Sequence, residues 1–234
     1  MGGITLVLFD IDGTLLTSGG SGREAMSQAA GQLFGRPDLF DDLSFAGAVD
    51  SSIVARALEA GGLPPTPRRV GRLHHLYVRR LKTRLRKGAG AVCPGSQSII
   101  ADIRTRAEVG LLTGNWIEGA RAKLDALGLL GDFQGCVGAY GGDAGERDAL
   151  VPIAVRRARR RWGSVSRVVV IGDTPADVQC ARAGEQVLVE QGVEVRAVAV
   201  ETGFSSAKAL RIAKPDLQIS DFISGREELL SLIG

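Results

Sequence analysis

ITLVLFDIDGTL, residues 4–15, is the stretch whose reading decides the fold of this chain. Leu6 to Phe9 are four apolar residues in a row, the pattern of a strand buried on both faces of a parallel sheet. Two carboxylates follow, Asp10 and Asp12, and then Gly13 and Thr14. The acids therefore stand at the C-terminal end of a strand, the edge on which open α/β sheets bind ligands. Residues two apart on a strand share a face, so Asp10 and Asp12 can serve one site where the extended geometry persists that far. Asp12-Gly13 between apolar flanks is also a hairpin-turn signal, and the segment alone leaves both readings open.

At 234 residues the chain can bury a full core, as one large domain or a core with a smaller attachment. With 44% hydrophobic and 24% charged residues it has the composition of a soluble globular protein. No apolar run reaches the length of a membrane span, and the N-terminal apolar stretch carries acids in place of a basic flank, so no membrane segment or signal peptide is expected. Cys93, Cys136 and Cys180 are odd in number and widely spaced, which fits reduced thiols in the cytoplasm better than a disulfide framework or a zinc site. The net charge of +3 is unevenly placed: residues 68–87 hold nine Lys or Arg and no acid, leaving −6 for the rest.

After the first strand comes a Gly/Ser loop at residues 18–22, and then helical periodicity at 23–34, 51–60 and 66–87. In the last of these Val70, Leu73, Tyr77, Leu81 and Leu85 recur at spacings of three and four and line one face, with the basic residues on the others. Strand-like runs are nearly absent from 18 to 90, so this part reads as an all-helical insert. From residue 91 strands and helices alternate. Helices are expected at 94–105, 118–127, 146–162 and 175–183, and strands at 108–112, 136–140, 167–171, 196–200 and 216–219. Such alternation implies βαβ crossovers, hence an α/β fold with a three-layer parallel-sheet core and helices on both faces. The expected division is a core of 1–17 and 91–234 with a helical cap of 18–90. Residues 185–194 are open between a longer helix and an extra strand.

Three strand ends carry polar groups: Asp10 and Asp12, then Thr113 and Asn115, then Asp173 and Asp177. A parallel sheet places all three on one edge. Bringing Asp10, Asp12 and Asp173 within about 4 Å of one another costs roughly 4 kcal/mol per charge pair at an effective dielectric of 20. A hard divalent cation compensates, and an all-oxygen acidic site suits Mg²⁺. Each tip also has a structural reading: Thr174-Pro175-Ala176-Asp177 fits a capping box, and Asn115 can cap the helix that follows. The Thr113-Gly114-Asn115 turn equally offers N–H groups and a hydroxyl to an anion.

DIDGT at 10–14, LLTGN at 111–115 and GDTPAD at 172–177 resemble motifs one, two and four of the haloacid dehalogenase-like hydrolase superfamily. The resemblance spans nearly the whole chain and implies a Rossmann-like core interrupted by a cap just after the first strand. It implies Asp10 as the nucleophile that forms an aspartyl-phosphate, and Asp12 as the acid and base, with its backbone carbonyl on the metal. Asp173 would be the other protein ligand of Mg²⁺, supported by Asp177, and Thr113 with the N–H of Gly114 or Asn115 would hold phosphoryl oxygens. The family's third motif, a lysine or arginine, is not matched by a Lys-Pro pair, since Lys214-Pro215 lies after motif four. Arg147 is the candidate; its other reading is an exposed arginine beside two acids. The segment 45–50, including Phe45 and Gly47, is expected to reach the site as the cap's substrate loop, by analogy with the family.

The function expected is a cytoplasmic, Mg²⁺-dependent phosphatase for a small phosphorylated metabolite, monomeric or homodimeric and phosphoglycolate phosphatase-like. A β-phosphoglucomutase-like phosphotransferase and a non-enzymatic, phospho-accepting regulatory protein are the alternatives. The arginines at 156–161 and the basic helix read as solvated faces, so no nucleic-acid partner is expected. His74 and His75 project about 100° apart on a helix and make a poor metal pair.

Overall fold

β1 (Ile4–Phe9) alternates its side chains between two hydrophobic layers, with Leu6 and Leu8 in one and Val7 and Phe9 in the other. All four are fully buried, as the uninterrupted apolar run requires. This computed structural model describes residues 3–234, so Met1 and Gly2 of the expected core lie outside the described residues.

A two-residue strand, β2 (Leu16–Thr17), leads into three helices, α1 (Ser21–Phe34), α2 (Asp50–Ala60) and α3 (Pro67–Leu85). β3 (Ala91–Val92) then returns antiparallel to β2. Alternation follows: α4 (Ser96–Ile103), β4 (Glu108–Thr113), α5 (Ile117–Ala126), β5 (Val137–Tyr140), α6 (Leu150–Trp162), β6 (Val165–Gly172) and α7 (Pro175–Leu188). β7 (Glu194–Val200), α8 (Ala207–Ile212), β8 (Leu217–Ile219) and α9 (Arg226–Ile233) complete the order.

The main sheet runs β5-β4-β1-β6-β7-β8 with every pair parallel. The chain goes outward from β1 to β4 and β5, then returns to the other side of β1 for β6, β7 and β8. The tip of β1 is thus a topological switch point, where parallel sheets leave a crevice. One layer packs α4, α5 and α9 on the sheet through Ile99, Ile103, Leu124 and Leu229, with Phe9 edge-on to Phe133 and Phe222. The other packs α6 and α7 through Leu150, Ala154, Cys180 and Ala181. No helix among the described residues is long and apolar enough to cross a membrane.

The helices between β2 and β3 have a hydrophobic cluster of their own, built on Met26, Phe40, Ile53, Leu58, Leu73 and Tyr77. Thr66 caps α3 by accepting the Arg69 N–H, and Pro67 starts it. Leu73, Tyr77, Leu81 and Leu85 are buried as the spacing predicts, and Leu76 joins them. Trp116 and Ala122 from the sheet side complete this cluster, and His74 stacks on Trp116 with ring centroids 4.3 Å apart.

Three local expectations change. The helix expected from residue 146 begins at Leu150 after a single 3₁₀ turn, Arg147–Ala149. A start at 146 would put Pro152 in the interior, whereas a start at 150 places it in the first turn, where its missing N–H costs nothing. At 185–194 the longer helix is found: α7 runs on to Leu188, which is buried, and a 3₁₀ turn ends at Gly192 with φ of 70°. The helices α8 and α9 were not anticipated.

Candidate active site

Asp10 is still part of the ladder, its N–H donating to the Ile171 carbonyl at 2.9 Å. The chain then turns tightly: Gly13 takes φ of 84°, its N–H donates to Leu16 O, and the Leu16 N–H donates to Ile11 O. Both readings of Asp12-Gly13 therefore hold, a strand end followed at once by a turn. The turn separates the two carboxylates, giving each its own buried cation.

Asp10, 7% exposed, has its Oδ1 3.1 Å from Arg147 Nη2. The same nitrogen donates to Asp177 Oδ1 in a short contact. Arg147 is buried, so it is not the exposed arginine of the competing sequence reading. Asp177 also completes a capping box, its Oδ2 accepting the Thr174 N–H at 2.9 Å and the Thr174 hydroxyl at 2.7 Å. Its two structural roles thus coexist. Asp173 is fully buried; it accepts from Phe204 N at 2.8 Å and from Thr14 Oγ1 at 3.2 Å. A Cβ on Gly13 or Gly203 would come within 2.3 or 1.9 Å of the Asp173 carboxylate, so glycine is what leaves room for that group.

Carboxylate oxygens of Asp10, Asp173 and Asp177 lie within 4.8 Å of one another. With Arg147 as the cation of the group, three carboxylates leave a charge of −2. Burial, reinforced by the charges of Asp177 and Asp12 and opposed by Arg147, pushes Asp10 up to about 6. Burial with the charges of Asp10 and Asp177 pushes Asp173 up to about 8. An all-oxygen cluster short of two positive charges fits a hard divalent cation.

The carboxylate of Asp12 lies outside this trio. Its Oδ2 accepts from Lys123 Nζ at 2.5 Å and from Asn115 Nδ2 at 2.9 Å, and its Oδ1 accepts from the Ser18 hydroxyl at 2.9 Å. Burial works to raise Asp12, but Lys123 and these hydrogen bonds outweigh it and hold the carboxyl below the ordinary range. Any contact of Asp12 with a metal is thus left to its backbone. Lys123 also donates to Asn115 Oδ1 at 2.6 Å, which fixes that amide: its Nδ2 donates to Asp12 and, at 2.7 Å, to Thr113 Oγ1. The Thr113 hydroxyl already accepts two hydrogen bonds, from the Asn115 side chain and N–H, so its own proton is available to the cavity.

A cavity of about 410 Å³ joins these groups to the cap. Asp10, Asp12, Thr113, Gly114, Asn115 and Arg147 line one end, while Phe45, Gly47, Arg23, Met26, Ile53 and Tyr77 line the other. Gly47 takes φ of 70°, and a Cβ there would meet Ala176 at 2.4 Å; one on Gly114 would meet the Ala48 carbonyl at 2.0 Å. The cap loop therefore packs directly against the second and fourth motifs. Asp50, 6% exposed, ties it down: its N–H donates to Gly114 O at 2.7 Å and its Oδ2 accepts the Trp116 N–H at 2.8 Å. Burial, against the pull of Lys123 and the Trp116 N–H, pushes Asp50 up to about 6.

Lys123, Asp50 and Ser18 were not found from the sequence. Lys123 carried a signal, since it shares the buried face of α5 with Ala120 and Leu124 at helical spacing. A lysine among apolar positions implies a buried partner.

The family model for haloacid dehalogenase-like hydrolase matches residues 4–184. Among solved structures, CbbY from Rhodobacter sphaeroides in complex with xylulose-(1,5)bisphosphate aligns with a TM-score of 0.69 at 21% identity, over 94% of this chain and 95% of that one. A predicted phosphoglycolate phosphatase from Haemophilus somnus aligns at 0.68 and 16% identity over 100% of both chains. A haloacid dehalogenase-like hydrolase of Streptococcus pneumoniae aligns at 0.63 and 18% identity over 99% of each. A comparison with curated proteins finds no match. The structural similarities are those of fold; the family match spans the first, second and fourth motifs together with Arg147. The chain belongs to the haloacid dehalogenase-like hydrolase family.

Proposed function

We propose that the protein is a Mg²⁺-dependent phosphatase that hydrolyses a small phosphomonoester through an aspartyl-phosphate on Asp10. The observation that carries this reading is the separation of the two acids: Asp10 belongs to the Arg147 cluster, and Asp12 faces the same cavity from the Lys123–Asn115 side. Phosphoryl transfer asks for in-line placement and neutralised charge more than for elaborate covalent chemistry, and this arrangement provides both. Asp10 attacks phosphorus, while Thr113 and the turn at Gly114 and Asn115 hold phosphoryl oxygens. Arg147 orients Asp10 and offsets charge beside it. Asp12 gives a proton to the leaving oxygen and then takes one from the water that cleaves the acyl phosphate. Mg²⁺ held by Asp10 and Asp173, with Asp177 in support, would neutralise the charge that gathers around the transferred group.

In this reading residues 18–90 are a substrate-facing cap and 1–17 with 91–234 the catalytic core. Phe45 and Gly47 belong to the cap loop that closes the cavity, whose size suits a metabolite rather than a macromolecule. The free state of all three cysteines supports a cytoplasmic setting. Hydrolysis of p-nitrophenyl phosphate tests the reaction. Activity is expected with Mg²⁺, lost with EDTA and lost in Asp10→Asn; activity that survives both would refute the assignment. A panel of phosphorylated sugars, nucleotides and short acids would then identify the ester.

A further inference from the structure

Between the phosphate end of the cavity and its cap wall stand two side chains that the proposed reaction does not use directly, Asp50 and Lys123. Asp50 is the first residue of α2 and is fixed to the core through its backbone N–H and its Oδ2. Its Oδ1 has no protein partner and no cation pairs with it among the described residues, yet the side chain lines the cavity. Lys123, 4% exposed, projects from the core helix α5. Two of its three ammonium donors serve Asp12 and Asn115, at 2.5 and 2.6 Å. An uncommitted acceptor from the cap and an uncommitted donor from the core thus border the same space, beside the acid that serves the leaving oxygen.

A hydroxyl group satisfies both, donating to Asp50 and accepting from Lys123. A carboxylate can only accept, and it meets an unfavourable charge: Asp12 already neutralises Lys123, while Asp50 stands unpaired. Arg23, the cation on the cap wall, has its Nη1 and Nη2 on the carbonyls of Phe40 and Leu43 and its plane 4.2 Å from the Phe45 ring centroid. Those contacts hold the loop and leave the guanidinium facing apolar neighbours.

We propose that the leaving group is a polyol or sugar whose carbon beside the phosphoester carries a free hydroxyl, read by Asp50 and Lys123, and that the same pair disfavours short carboxylate esters. The inference rests on the phosphatase reading and narrows it to a substrate class. At pH 8 with saturating Mg²⁺, kcat/KM is compared for 2-hydroxyethyl phosphate, ethyl phosphate and 2-phosphoglycolate, with p-nitrophenyl phosphate reporting the reaction itself. The hydroxylated ester should exceed ethyl phosphate by roughly 10- to 100-fold, the effect of one hydrogen bond to a charged group. 2-Phosphoglycolate should fall below ethyl phosphate. Asp50→Asn keeps an oxygen for the Trp116 N–H and removes the charge, so the hydroxyl preference should shrink and 2-phosphoglycolate should rise relative to ethyl phosphate. Equal rates for the hydroxylated and plain esters, or 2-phosphoglycolate as the best of the three, overturn the inference. If p-nitrophenyl phosphate turns over normally in that case, the phosphatase reading stands alone. If no ester is hydrolysed, both fall. The native series decides the matter even if the variant does not fold.

Discussion

Replacing Arg147 by methionine tests the charge arrangement of the site most directly. Methionine keeps much of the aliphatic volume and removes the guanidinium that lies between Asp10 and Asp177. Three carboxylates then remain within 4.8 Å of one another, and each ionised pair at that separation costs about 3.5 kcal/mol at an effective dielectric of 20. Without metal the cluster must take up protons to relieve this repulsion. Such relief limits the loss to about 3–5 kcal/mol, the usual cost of deleting one partner of a buried ion pair. Urea unfolding at pH 7.5 in EDTA reads that loss as a lower midpoint. Repeating it in saturating Mg²⁺ should recover more stability in the variant than in the native protein, because the cation replaces the missing charge. Turnover of p-nitrophenyl phosphate should fall by about 10²–10³, the effect of removing one preorganised charge-stabilising group. A variant within about 1 kcal/mol of native stability in EDTA, with turnover inside about threefold, would refute the reasoning.

Asp12→Asn should keep the fold, read by circular dichroism, and lose roughly 10²- to 10⁴-fold in kcat, the range for a missing general acid and base; near-native kcat would remove Asp12 from that role. Gly114→Ala would bring a Cβ to 2.0 Å from the Ala48 carbonyl and push the cap loop off the phosphate-binding turn. A displacement of that kind should cost about 10²-fold in kcat/KM, and unchanged kinetics would show that the cap need not pack there. Asp173 has its folded value raised from 3.8 to about 8, so between those limits the folded state binds the proton more tightly than the unfolded chain. Stability of the metal-free protein should therefore fall as pH rises through that window. A metal displaces the proton, so the increase in Tm on adding Mg²⁺ should be larger at pH 8 than at pH 5.5; calorimetry showing equal increments would contradict this.

What could be read in advance was local. The three strand tips were legible because an apolar run, a turn residue and an adjacent polar group are neighbours along the chain, as in Leu111 to Asn115 and Ile171 to Asp173. The cap was legible because α3 is long enough for its apolar stripe to repeat five times. The helix α8 was missed because six residues, capped by Ser206, give too little periodicity to recognise. Asp50 and Lys123 were missed for another reason. Their roles arise only when α5 is laid beside the tip of β1 and the cap loop is folded over it, contacts between residues 66 and 111 positions apart.

That assembly sets a problem which the protein must solve with its ligands. Asp10, the proposed nucleophile, is raised to about 6, whereas Asp12, the proposed acid, is lowered. Catalysis needs the opposite order, an ionised nucleophile and a protonated acid. A divalent cation at Asp10 and Asp173 brings the nucleophile down, and a phosphate dianion entering beside Asp12 brings the acid up, so each ligand corrects one of the two groups. Metal and substrate would then prepare the chemistry as well as occupy the site. The acidic limb of the kcat/KM profile should move to higher pH as Mg²⁺ is withdrawn toward subsaturation, because protons and metal compete for the same carboxylates. A limb that stays fixed while activity falls would mean that Asp10 does not titrate against the metal, and the ordering argued here would have to be abandoned.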